Sequence, residues 1–226
     1  MYSSDARTNT FTEEGRILQV EYAIKNVSRA GTMLGYVCTD GVLLLGLKKG
    51  ISSSRKEKIY KISPQIYVAM AGISSDALQL LSYARIESEK HCEHYCAEIP
   101  LKSLCTRVGE LKQGFTQGGG KRPFGVSFIY AGMQNDDYAL YSTDPSGSVL
   151  KWHALCCGEF EDVINASLKN GLKQGICLDE ATREVMKIIK VAREIKDEDL
   201  KLFEILHFKK DEKRFLTLEE IKSYLS

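Results

Sequence analysis

Stretches with strand character and stretches with helix character come in blocks along this chain, and that order narrows the fold more than any other feature. After a helical stretch at 16–27, apolar runs at 32–38 and 42–47 flank Thr39-Asp40-Gly41, a hairpin signal in which Asp-Gly supplies positive φ. A second pair, 59–62 and 65–71, turns at Ser63-Pro64, and the polar stretch 48–58 between the pairs is expected as a surface loop. Ser74-Ser75-Asp76 offers capping chemistry for a helix to about Cys96, and 101–117 forms the next helix between Pro100 and Gly118-Gly119-Gly120. Strands follow at 124–131, 138–142 and 148–154, then helices at 159–173 and 178–194. A last hairpin, 203–208 with 214–216, precedes the capping box Thr217-Leu218-Glu219-Glu220. Strands in runs and helices in pairs predict an α+β protein in which antiparallel sheets carry helices on their outer faces, not a doubly wound parallel sheet.

Composition removes several classes of function. Net charge is +1, which gives no expectation of nucleic acid, a membrane surface or an acidic substrate as partner. No apolar run approaches the ~18 residues that span a bilayer, and the first residues lack the apolar core of a signal peptide. Seven cysteines, scattered and odd in number, fit a reducing compartment, cytoplasm or nucleus, better than a disulfide framework. With no repeat, linker or low-complexity stretch, residues 1–226 are expected to form a single domain.

The stretch Glu14-Gly15-Arg16 followed by Gln19-Val20-Glu21-Tyr22-Ala23 is more specific than an amphipathic helix needs to be. Ile17, Val20, Ile24 and Val27 share one helix face at steps of three and four. The string resembles the signature that opens alpha-type proteasome subunits. Thr116-Gln117-Gly118-Gly119-Gly120-Lys121-Arg122-Pro123-Phe124-Gly125-Val126-Ser127, Ala30-Gly31-Thr32, Glu57-Lys58-Ile59 and Asp144-Pro145-Ser146-Gly147 fall in the family's order. The run 112–117 with 128–132 is most similar to the third subunit in ring order. The resemblance implies a four-layer αββα sandwich of two antiparallel sheets, like that of N-terminal-nucleophile hydrolases. It also implies a seven-membered ring of alpha subunits capping beta rings, with residues 1–12 as a gate tail over the pore. No cofactor and no metal are implied.

Site residues carry over by position. Asp5 and Tyr22 match the family's gate cluster, although Ser4 and Glu13 stand where its Tyr and Pro belong. Lys58 matches the lysine that receives the C-terminal carboxylate of a regulatory particle, a charge-assisted pairing. Gly72, Ile73 and Ile17 are expected to line the same groove, completed by a neighbouring subunit. Arg122, Pro123, Phe124 and Gly125 are expected as a rigid turn at a ring contact. The alternative is a free-standing hydrolase of the same fold, for which Gly31-Thr32 is a decoy. Beta-type relatives free a Thr whose own amine is its base. Here Gly35 sets a register that puts Gly31 at the nucleophile position, and the acidic partner would fall at Leu47 or Lys48. Neither is a carboxylate, so no catalytic residue is expected.

Other constellations are weaker. Cys92 and Cys96 share a helix face, but His91 and His94 point elsewhere, so a partly exposed helix end is favoured over a zinc site. Gly118-Gly119-Gly120-Lys121-Arg122 lacks the flanking residues of a phosphate loop.

Overall fold

The computed structural model describes residues 9–49, 57–118, 121–171, 175–195 and 197–224. The first half of the chain gives α1 (Leu18–Val27), β1 (Met33–Val37), β2 (Val42–Leu47), β3 (Ile59–Ser63), β4 (Ile66–Gly72), α2 (Ser74–Tyr95) and α3 (Leu101–Gln117). The second half gives β5 (Val126–Gln134), β6 (Asp137–Thr143), β7 (Val149–Trp152), β8 (Ala154–Cys157), α4 (Glu161–Gly171) and α5 (Leu178–Arg193). A 3-10 segment, Asp197–Leu202, then leads into β9 (Phe203–Phe208), β10 (Lys213–Phe215) and α6 (Leu218–Ser223).

Two five-stranded antiparallel sheets result, one ordered β10-β9-β2-β1-β8 and the other β3-β4-β5-β6-β7. They stack with helices on both outer faces, as an α+β sandwich of four layers. Strand β2 shows why its sequence reads as an unbroken apolar run rather than an alternation. Leu43, Leu45 and Leu47 face the α4–α5 layer, while Val42 and Leu44 face the other sheet, so both faces are covered. Each such buried side chain contributes about 1.5–3 kcal/mol. The α4–α5 layer packs Ile164, Val185, Met186 and Ile189 onto this sheet. The α2–α3 layer packs Leu80, Leu81, Leu104 and Val108 onto Phe128 and Tyr130 of the other.

The structure departs from the sequence expectations in four places. The single strand expected at 148–154 is two strands in different sheets, β7 beside β6 and β8 beside β1, with His153 as the joint. Gly15 has positive φ (+76), but neither Asp40 nor Gly41 does. The hairpin instead closes with Cys38 N–H on Gly41 O at 2.8 Å, and Gly41 is required because a Cβ there would lie 2.5 Å from Phe208 O. Helix α2 begins without a side-chain cap, because the apolar Ile73 occupies the cap position and Asp76 lies inside the first turn, bonded to Arg122. On α1 the buried residues are Val20, Ala23 and Val27, and Ile24 is exposed.

One buried cation was not foreseen. Lys112 of α3 is fully enclosed, and its three N–H donors meet Val126 O (3.0 Å), Thr143 O (3.2 Å) and Thr143 Oγ1 (2.9 Å) over the ring of Phe128. Burial pulls its pKa down to about 7. All of its partners are uncharged, so it works as a strut between α3 and the ends of β5 and β6.

Candidate functional site

Three of the four predicted docking residues, Lys58, Gly72 and Ile73, lie on or beside the β3–β4 pair, and Ile17 lies elsewhere. Lys58 immediately precedes β3, and its carbonyl accepts the Met70 N–H of β4 at 3.0 Å. Its side chain turns inward rather than into a surface loop. It is 7 % exposed, and among the described residues its Nζ has one acceptor, Gly31 O at 2.9 Å. Burial lowers its pKa to about 8, partly offset by the nearby Glu204 carboxylate. A buried ammonium with spare donors is chemically suited to an incoming anion.

Two residues beyond Met70, β4 ends at Gly72 with φ +128, and a Cβ at this position would lie 2.1 Å from Gly125 O. Only glycine fits. Ile73 follows, 37 % exposed, donating its N–H to Gly125 O at 2.9 Å. Gly72 and Ile73 thus meet Gly125, and Lys58 meets the same strand two residues earlier, at Met70. Ile17 lies at the start of α1. There it lines a separate cavity of about 350 Å³ with Phe11, Val20, Glu21, Gln113 and Thr116.

The turn at 121–125 is used first inside the chain. Arg122 forks onto Asp76 (2.6 and 2.7 Å), and the Gly125 N–H donates to the same carboxylate at 3.0 Å. Pro123, Phe124 and Gly125 are buried, and Phe124 packs on Phe115 at 4.6 Å between centroids. Burial pushes the Asp76 carboxyl up. Arg122 and the Gly125 N–H outweigh that and hold it below the ordinary value.

Of the gate residues, Asp5 lies outside the described residues. Tyr22 is on α1, 48 % exposed. Two neighbours were missed in the sequence. Asn9 donates its amide to Gly118 O (2.7 Å) and Lys121 O (2.5 Å), tying the start of the described chain to the glycine-rich turn. Arg16 forks onto Glu21. The helix end at 91–96 is largely exposed, and no metal-binding group of three or more His, Cys, Asp or Glu occurs among the described residues.

Thr32 is fully buried, its hydroxyl donating to Glu159 O at 2.8 Å. Leu47 is in the core, and Lys48 is paired with Glu204 at 3.4 Å. The hydroxyl thus has a structural partner, and positions 47 and 48 offer it no carboxylate.

The sandwich and these positions can be set against known proteins. The family profile for proteasome subunits matches residues 27–207, and the N-terminal signature of A-type proteasome subunits matches residues 5–25. The chain belongs to the proteasome subunit family, as an alpha-type member. It is similar to a probable alpha type-3 proteasome subunit of Encephalitozoon cuniculi, at 47% identity over 226 residues (100% of this chain, 97% of the relative). It is also similar to the alpha type-3 proteasome subunit of Saccharomyces cerevisiae, at 39% over 191 residues (82% and 74%). A third relative is the alpha type-4 proteasome subunit of Dictyostelium discoideum, at 39% over 193 residues (82% and 77%). An alpha subunit of the 20S core assembles with other proteasome subunits.

Proposed function

We propose that the chain is a non-catalytic scaffold and gate subunit of a seven-membered outer alpha ring, at the third position. The ring caps beta rings that hold the proteolytic sites, and its tail controls substrate entry in ubiquitin-dependent protein degradation in the cytoplasm and nucleus. Regulatory particles dock through C-terminal carboxylates at Lys58, beside Gly72 and Ile73. Ile17 is a further lining residue of that groove, which a neighbouring subunit completes, and Arg122 with the buried turn behind it stiffens a ring contact.

The observation that carries the docking role is the Lys58 ammonium, buried yet met by one described acceptor, Gly31 O. The scaffold role is supported by Thr32, whose hydroxyl is committed to Glu159 O. The test is an assembled particle carrying Lys58→Ala, titrated with a peptide that ends in a free carboxylate. Binding is expected to weaken by about 1–3 kcal/mol, less so as salt rises. Unchanged affinity would refute docking at this pocket.

A further inference from the structure

The docking lysine is held from the opposite sheet. On β9, Glu204 sits across the ladder from Gly46 of β2. A Cβ at Gly46 would lie 2.5 Å from the Lys58 Cβ, so the glycine leaves the room that the lysine stem occupies. Glu204 closes the other side. Its two carboxylate oxygens accept the backbone N–H groups of Lys58 (3.0 Å) and Ile59 (3.2 Å), at the point where β3 starts. Its side chain is 13% exposed, and Lys48 approaches it at 3.4 Å. A carboxylate here spends both oxygens on the backbone of the segment that carries the docking side chain.

Resting on the docking role given above, we infer that Glu204 is the positioning residue of the pocket: it seats the backbone from which Lys58 projects, and so sets how strongly a free carboxylate is preferred over an uncharged chain end. Other charged and titratable groups surround the pair. Glu57, Tyr60, Lys61, Tyr67 and Arg85 line the adjoining surface groove with Lys48, and Arg85 is committed to Lys61 O. On the Gly31 side the nearest carboxylate, Glu159, is held by Lys49 (3.2 Å) and Arg193 (3.1 Å). Of these carboxylates Glu204 is the one bonded to the Lys58 backbone, and its charge raises the lysine against the cost of burial.

The experiment compares two forms of one peptide, ending in a free carboxylate or in an amide, for binding to assembled particles between pH 6 and 10. In the wild type the preference for the carboxylate is expected to fade as pH rises through about 8, where Lys58 loses its proton. Glu204→Gln removes the charge, so the preference should drop roughly three- to tenfold at neutral pH and fade about one pH unit earlier. Lys48→Met, a change at a partly exposed side chain, frees Glu204 from its competing cation and should move the fading to higher pH. It decides the matter if the Gln particle does not assemble. A wild-type pH profile in these variants overturns the role of Glu204. If Lys58→Ala abolishes the preference while they leave it intact, docking stands and only the positioning role falls. If Lys58→Ala changes nothing, both fall together.

Discussion

Asp76 is the clearest place to test how the turn at 121–125 is held. Replacing it by Ala removes two things at once: the acceptor for the buried Gly125 N–H, bonded at 3.0 Å, and the partner of Arg122. An unsatisfied buried N–H costs about 1–3 kcal/mol. Arg122 has a side chain 60% exposed, so solvent screens its half of the pair to at most about 1 kcal/mol. The sum is roughly 1–4 kcal/mol for Asp76→Ala. Asp76→Asn keeps one oxygen for Gly125 and should lose only about 1 kcal/mol. In a chain of this size each 1 kcal/mol moves Tm by about 2–4 °C, so Ala should lower it by roughly 2–16 °C and Asn by less. The carboxyl is held below its ordinary value, so its contribution is present above the unfolded pKa, near 3.9, and is lost as pH falls below that. The gap between wild type and Ala should therefore narrow in acid. Thermal denaturation of the three proteins at pH 7 and near pH 3 reads both effects. An Asn variant as unstable as Ala, or an Ala variant within about 1 kcal/mol of wild type, would show that the Gly125 contact does not hold the turn.

Thr32→Ala should leave peptidase activity of the assembled particle unchanged and cost only the hydrogen bond to Glu159, about 1 kcal/mol of stability; loss of activity from a correctly assembled particle would sink the scaffold role. Deleting residues 1–10, which also removes the Asn9 anchor on Gly118 and Lys121, should raise basal hydrolysis of small peptides without altering cleavage specificity. Asp5→Ala should give part of that effect. A truncated particle that assembles and stays as latent as wild type would show that the tail is no gate.

Much of the fold was legible because its signals are local. Pro100 and the glycine run bracket α3, and Thr217 with Glu220 forms the capping box that opens α6. The joint at His153 was not legible. Residues 148–154 keep strand character throughout, and only pairing with β6 on one side and β1 on the other divides them. Ser74-Ser75-Asp76 has cap chemistry, but the helix starts one residue early, with Ile73 at the cap, and Asp76 is bonded instead to Arg122, far along the chain. The candidate site divides the same way. Lys58, Gly72 and Ile73 were found by position, whereas Glu204 reads as an ordinary polar residue in a strand until the register puts it opposite Gly46. Lys112 is the extreme case: a lysine on a helix is normally solvated, and only three-dimensional packing supplies its three oxygens.

The strand order also fixes a sequence of events during synthesis. Strands β3 to β7 and helices α2 and α3 come from one continuous stretch of chain, so that sheet and its helical layer can close while the ribosome is still reading. The first sheet cannot. Its hairpin β1–β2 emerges early, but Met33 must wait for Cys157 and Val42 for Phe208 before its flanks are paired. Until then a strand made for burial on both faces, Val42–Leu47, sits in a ribbon with both edges open, which is the geometry that recruits other chains. The nascent chain is therefore most vulnerable near its beginning, and the last strands to be made are the ones that end the exposure.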